Sequence, residues 1–309
     1  MNKKFIFGHK NPDTDSIMSA LIMADLEKKL SRDEEIIPYR LGNLNKETAY
    51  ALDYFKVDAP NFLEKVDEGT NVILVDHNEF SQSVDGIEKA KIEKVVDHHR
   101  IAADFQTSEP LFYMAEPVGC TATILYSLYK MNGFEITPTI AGLMLSAIIS
   151  DTLLLKSPTT TILDERALKD LAEIANVDVN EYGLNMLKAG TDLSDYTAGQ
   201  LIDLDAKKVD ISGNNVIVAQ INTVDINDVM RNKEQIENVI NKTISEQNLD
   251  LFMFLITDIL NSNSQTIALG KRVDLVENGY NVKLEENTAF LPGVVSRKKQ
   301  VLPVLQKNV

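Results

Sequence analysis

The chain of 309 residues contains one cysteine, four histidines and no tryptophan, and its 31 Lys and Arg are outnumbered by 46 Asp and Glu. Each shortage excludes something. A lone cysteine, Cys120, cannot form an intramolecular disulfide, which suits a reducing compartment. A net charge of −15 argues against a nucleic-acid coat or a binder of anionic membranes, since both rely on a broad excess of cations. No apolar run approaches the roughly 20 residues that span a bilayer. The opening MNKKFIFGHK turns polar too early for a secretory signal. These features predict a soluble, cytoplasmic protein that binds neither nucleic acid nor membrane.

What remains is an ordinary globular composition, 44% hydrophobic and 25% charged, in a chain long enough for two domains. The first half alternates short β-type runs with helical patterns. Lys4–His9, Ile36–Arg40, Val72–Val75 and Val95–Val96 read as strands, the last two as β-branched runs of the kind buried on both faces of a parallel sheet. A helix from Ile17 to Leu30 has Asp13 and Asp15 available as caps, and helices are predicted over Glu47–Phe55, Thr121–Lys130, Ile140–Ile149 and Leu163–Ala175. This alternation implies an α/β fold whose N-terminal domain has a mostly parallel sheet flanked by helices. The pattern breaks at Lys188–Asp195, which divides the chain into residues 1–188, a linker at 189–195 and residues 196–309. The C-terminal part predicts a smaller α/β domain with a mixed sheet. Its strands are read at Asn215–Ile221, Leu249–Ile256, Thr266–Leu269 and near Asn281–Leu284, with a helix over Lys233–Glu246.

The chemistry concentrates in four clusters at the ends of apolar segments. GHKNPDTDS supplies His9, Asp13 and Asp15; ILVDHNE supplies Asp76 and His77; VVDHHR supplies Asp97, His98 and His99; AIISDT supplies Asp151. In open α/β sheets ligands bind at the carboxyl ends of strands, so clusters distant in sequence can converge. Singly, each has a plain structural reading: Asp13 or Asp15 as a helix cap, Asp76 or Asp151 as a turn former, His77 as a structural neighbour. Jointly they place every histidine of the chain among carboxylates at strand ends, which core packing does not explain. Carboxylates and imidazoles gathered in one cleft repel or shift their pKa values unless cations sit among them. A mixed oxygen and nitrogen donor set suits Mn, Co, Fe or Zn. A carboxylate shared by two ions gives a dinuclear centre able to polarise a phosphoryl group and activate water.

A complementary feature lies in the second half. SRKKQ places Arg297, Lys298 and Lys299 together in an otherwise acidic protein, with Lys207 and Lys208 as a second basic pair. Such residues can grip phosphate oxygens. Metals on one domain and basic residues on the other suggest an active site in the interdomain cleft, closing on a phosphate compound. Cys120 is expected to open a helix and to serve packing, because no histidine is left to activate it.

The triplet Asp97-His98-His99, preceded by His9-x3-Asp13-x-Asp15 and Asp76-His77-Asn78, resembles the DHH phosphoesterase superfamily. Within it, GHKNPDTDS, VDHNE, DHHR, SDT at Ser150–Thr152 and SRKKQ resemble the family II, manganese-dependent inorganic pyrophosphatases, in order and along essentially the whole chain. The length fits the short form without a CBS insertion. The resemblance implies a catalytic, metal-binding DHH domain followed by a substrate-binding C-terminal domain. One metal would be held by His9, Asp13 and Asp76, the other by Asp15, Asp76, His98 and Asp151, with Asp76 bridging. His99 would face the substrate, Lys207, Arg297 and Lys298 would bind phosphate, and Asp97 would orient a neighbouring imidazole. It also implies two Mn ions per subunit, replaceable by Co, Mg arriving with pyrophosphate, and a homodimer formed through the N-terminal domain. The expected reaction is hydrolysis to two orthophosphates by a hydroxide bridging the metals, without a phosphoenzyme.

The alternative enzyme is a DHH-type phosphodiesterase acting on short oligonucleotides or cyclic dinucleotides. Such relatives carry a histidine-containing signature in the second domain, whereas here no histidine follows His99. A non-catalytic phosphate sensor is a third reading, but it would be expected to have lost a ligand, and every ligand position is filled.

Overall fold

The computed structural model describes residues 2–31, 33–103 and 105–308, with the backbone alone for Asn2. The chain forms two compact units, the first reaching to Gly190 and the second beginning at Thr191.

In chain order the first unit contains β1 (Asn2–Phe7), α1 (Thr14–Leu30), β2 (Glu34–Arg40), α2 (Lys46–Phe55), β3 (Asn61–Phe62), β4 (Asn71–Val75), β5 (Lys91–Asp97) and β6 (Phe112–Ala115). Four helices follow: α3 (Thr121–Met131), α4 (Pro138–Thr152), α5 (Ile162–Ala175) and α6 (Val179–Gly190). The six strands lie in the order β3-β2-β1-β4-β5-β6, and every pairing is parallel. The chain builds outward from β1 to β3, then returns to the other side of β1 at β4. The connections therefore diverge between β1 and β4, and a crevice opens there at the carboxyl ends of the strands.

The sequence explains why these elements form. Val72, Ile73, Leu74 and Val75 are completely buried in β4, which is why that strand has no polar face. Helix α4 is capped by Thr137, whose hydroxyl accepts from Ile140 N–H, with Pro138 in the first turn. It is apolar almost all round and packs against α1 and α5. Helix α5 starts with a capping box in which Thr161 and Asp164 satisfy each other's backbone amides. Beneath the sheet, the buried Lys4 ammonium pairs with Glu27, Glu34 and Glu93 at 3.3, 2.8 and 3.0 Å. Burial opposes that charge, but the three carboxylates outweigh it and hold the lysine protonated.

The second unit contains α7 (Ala198–Asp203), β7 (Ala206–Ile211), β8 (Asn214–Thr223), α8 (Ile226–Met230), α9 (Lys233–Gln247) and β9 (Leu251–Asp258). It continues with β10 (Asn263–Gly270), α10 (Asp274–Tyr280), β11 (Thr288–Pro292) and α11 (Leu302–Lys307). Its sheet runs β11-β10-β9-β8-β7, with β8 and β9 parallel and the other neighbours antiparallel. Helices α7 and α9 cover one face and α10 and α11 the other. Central β9 is accordingly buried on both sides from Leu251 to Ile256. A strand was expected near Asn281–Leu284, but α10 occupies the preceding residues and Asn281 closes it in a left-handed conformation, φ 52°. The last strand comes later, where Ala289 and Leu291 alternate inward. Among the described residues no helix is long and apolar enough to cross a membrane.

Candidate metal centre

The crevice between β1 and β4 receives side chains from four places in the chain. Strand β1 delivers His9 through Gly8, and here only glycine fits. A Cβ on Gly8 would lie 2.1 Å from Ser16 Oγ and 2.8 Å from Ser16 O, so any side chain would push the strand end off the first turn of α1. That turn carries Asp13, which caps Ser16 N–H at 3.0 Å. It also carries Asp15, which is fully buried inside the helix rather than capping it. Asp15 accepts from Thr121 N–H (2.7 Å) and Ala122 N–H (3.3 Å) at the start of α3, and from Ser19 Oγ (2.7 Å). Strand β4 is followed directly by Asp76, whose φ of 57° is left-handed and strained for a residue with a Cβ. Its carboxylate is buried and accepts from Thr121 Oγ1 at 3.0 Å. His98 and His99 follow β5, and Asp151 occupies the last turn of α4.

These groups form two triads joined by one carboxylate. His9, Asp13 and Asp76 bring ligand atoms within 4.8 Å of one another, as do Asp15, His98 and Asp151. Asp76 Oδ2 lies 3.4 Å from His9 Nε2, and Asp76 Oδ1 lies 3.4 Å from His98 Nε2. Two ligand atoms each about 2.1 Å from a single ion at tetrahedral or octahedral angles lie roughly 3.0–3.5 Å apart, so these spacings suit shared ions. Tautomers agree. His9 Nδ1 donates to Lys10 O at 2.8 Å and His98 Nδ1 donates to Val118 O at 3.0 Å, so Nε2 is the nitrogen turned toward Asp76 in each ring and the one that would ligate once its proton is displaced. Backbone carbonyls commonly fix metal-ligating imidazoles in this way.

The electrostatics point to the same need for cations. Burial and then the Asp76 charge push Asp15 up to about 7. Burial, Asp15 and Asp76 likewise raise Asp151 well above the carboxylate range. Burial works against the charged forms of His9 and His98, yet Asp13 and Asp76 push His9 up to about 11, and Asp76 and Asp15 push His98 up to about 9. Burial would also raise Asp76, but the two imidazoles hold it below the usual range. Protons thus serve as counter-charges where a divalent pair would serve better.

His99 also lies within 4.8 Å of Asp76 and His98 as a third possible set, but its ring is held elsewhere. Half exposed, its Nδ1 meets Asp97 Oδ1 at 2.9 Å, and its pKa is raised chiefly by that bond. Asp97 also accepts from His99 N–H (3.0 Å) and Asn78 Nδ2 (2.6 Å), while Asn78 accepts from Ala102 N–H at 2.6 Å. The turn after β5 is therefore clamped, and His99 Nε2 is left for other partners. His99 borders a cavity of about 290 Å³ together with His9, Asp76, Asn78, Glu79, Gln82 and Arg100.

In the second unit, Lys207 lies in β7 opposite Val218 of β8. Arg297 and Lys298 belong to a π-helical turn, Arg297–Val301, capped by Ser296. The Arg297 guanidinium donates to Asp205 Oδ1 at 2.7 Å, to Asp205 O, and to Val218 O at 3.5 Å. Lys207 and Arg297 are thereby brought to the same point of β8.

Residues 3–148 match the DHH family, N-terminal domain, and residues 184–308 match the DHHA2 domain. The manganese-dependent inorganic pyrophosphatase of Bacillus subtilis (strain 168) is 58% identical over 306 residues, covering 99% of this chain and 98% of that one. The chain belongs to the family II inorganic pyrophosphatases. A crystal structure of a Methanococcus jannaschii protein assigned to that family superposes with a TM-score of 0.63 at 39% identity, covering 99% of both chains. An exopolyphosphatase-related protein from Bacteroides fragilis, 15% identical with a TM-score of 0.50, covering 99% of this chain and 92% of that one, shares the fold.

Several contributors had no clear sequence signal. Thr121, which serves both Asp15 and Asp76, is one of many threonines until the fold places it at the head of α3. Gln82 and Arg100 gain a place only by lining the cavity. His77 is buried beside the centre, with Nδ1 donating to Val75 O (2.9 Å) and Nε2 accepting from Ser83 Oγ (3.1 Å), so both ring nitrogens are occupied. Burial pushes it down to about 4, and it stays neutral. Cys120 is the residue before α3 and is fully buried, its thiol pushed well up by burial.

Proposed function

We propose that this chain hydrolyses pyrophosphate to two orthophosphates at a dinuclear manganese centre. The observation that carries the reading is Asp76, whose two carboxylate oxygens each face a histidine nitrogen of a different triad. His9, Asp13 and Asp76 would hold one ion, and Asp15, His98 and Asp151, with Asp76 between, the other. When bound, such a pair lowers the pKa of water and polarises phosphoryl oxygens. The name of the Bacillus subtilis relative supports manganese and pyrophosphate.

The protein's own part is positioning and charge. His99, whose hold on its proton is strengthened by Asp97, would donate from Nε2 to a phosphate oxygen. Lys207, Arg297 and Lys298 would hold the charge of the leaving phosphate, with Asp205 as the counter-charge that Arg297 exchanges for substrate. Residues 1–188 would then serve as the metal-binding domain and 196–309 as the substrate-binding one, joined at 189–195. We further infer two Mn ions per subunit with Co as a substitute, Mg brought by the substrate, a homodimer formed through the N-terminal unit, and work in the cytoplasm without nucleic-acid or membrane partners.

The test is to strip the protein with chelator, restore Mn, Co, Mg or Zn singly, and offer pyrophosphate or a short RNA. Orthophosphate from pyrophosphate with Mn is expected. Mononucleotide release with inert pyrophosphate would favour the phosphodiesterase instead.

A further inference from the structure

Glu47 is a carboxylate near the centre that belongs to neither triad. Glu47 lies in the first turn of α2, and its Oε1 accepts from two hydroxyls on two other helices: Thr14 Oγ1 of α1 at 2.7 Å, and Ser150 Oγ of α4. Thr14 sits between Asp13 and Asp15, and Ser150 precedes Asp151. A single oxygen therefore ties the turn that presents two of the carboxylates to the turn that presents a third.

Ser150 could have bonded within its own helix. Its neighbours do so, Ser146 Oγ donating to Gly142 O at 2.7 Å and Thr152 Oγ1 donating to Ile148 O. Ser150 instead reaches to Glu47. Thr14 is fully buried and its hydroxyl also meets Thr48 Oγ1 at 3.1 Å, so the α1–α2 contact is polar and closed to water. Placing a carboxylate largely out of solvent is unfavourable, and packing alone would be met by an apolar side chain. Ligand atoms must be fixed to about 0.2 Å for a metal site, which two helices packed through apolar side chains do not guarantee.

We propose that Glu47 is a positioning residue for the metal centre, its Oε1 setting the spacing between the Asp13–Asp15 turn of α1 and the Asp151 turn of α4. The inference rests on the metal reading above. Glu47 belongs to neither triad; it acts through Thr14 and Ser150.

The experiment titrates Mn into chelator-treated wild type, Glu47→Ala, Glu47→Gln and Ser150→Ala, following free Mn by electron paramagnetic resonance, and melts each metal-free protein. Glu47→Ala is expected to weaken the Asp15/His98/Asp151 ion by roughly 10- to 100-fold with the metal-free melt still cooperative. Ser150→Ala should weaken the same ion. Glu47→Gln, which keeps an oxygen acceptor, should recover most of the affinity. Wild-type affinity in Glu47→Ala, or no recovery in Glu47→Gln, would overturn the tie, and a metal-free Glu47→Ala that no longer melts cooperatively would make Glu47 a folding residue instead. A wild type that binds no Mn is a different failure, one that removes the metal reading itself.

Discussion

Asp76→Asn removes one charge and one acceptor oxygen while keeping shape, and it isolates the bridge between the triads. Its two carboxylate oxygens lie 3.4 Å from one nitrogen of each histidine, and each would serve as a charged ligand to one ion. On the scale of a charge-assisted contact, each ligand oxygen is worth about 1.5–3 kcal/mol. Losing both corresponds to roughly 10²- to 10⁴-fold in affinity or rate. Asn can still accept from Thr121 Oγ1, so the β4 end and its left-handed backbone, which Asn tolerates, should persist. The assay pairs Mn isothermal titration of the metal-stripped protein with phosphate release at saturating Mn. Both ions should weaken, because Asp76 belongs to both sets, and turnover should fall by at least a hundredfold, with the metal-free melt lowered by the lost histidine contacts but still cooperative. Affinity and turnover within tenfold of wild type would refute the bridging role, and loss of only one ion would show that Asp76 serves one triad.

Three further outcomes follow from the same geometry. Gly8→Ala should lower thermal stability by about 1–3 kcal/mol through overpacking against Ser16 and should weaken the ion at His9; wild-type stability and Mn affinity would show that β1 and α1 have slack. His77 is neutral when folded, with a pKa of about 4 against 6.5 unfolded, so the unfolded chain binds more protons between those values. Its contribution is complete above pH 6.5 and is lost as pH falls toward 4, reaching about 3 kcal/mol. Urea unfolding of the metal-free protein across that window should therefore be less steep in pH for His77→Gln, and an unchanged pH dependence would contradict the neutral assignment. Cys120, buried with its thiol pushed up, should resist thiol reagents in the native protein and react only on unfolding; rapid native labelling would contradict it.

Legibility in the sequence varied with the kind of signal each residue carried. Strand β4 and helix α4 were plain because both are apolar on all sides, and the alternation of strands and helices implied a parallel sheet whose strand ends could gather distant residues. The structure does bring His9, Asp13, Asp15, Asp76, His98 and Asp151 together, at the point where strand order reverses. Asp15, readable as a helix cap, is a buried acceptor, because its neighbours Thr121 and Ala122 arrive from far along the chain. Strand β7, which carries Lys207, has no clear sequence signal. As an edge strand it exposes most of AKKVDI and shows no apolar run. The expected strand at Asn281–Leu284 failed because Asn281 favours the left-handed helix stop. Glu47 and Thr121 act through tertiary hydrogen bonds, for which spacing in sequence has no signature.

The most direct test of the dinuclear pyrophosphatase reading is phosphate release from pyrophosphate by metal-stripped protein as Mn is added back. Activity should be absent without metal and should rise to a plateau at two Mn per chain. Full activity with one Mn per chain, or with none, would contradict it.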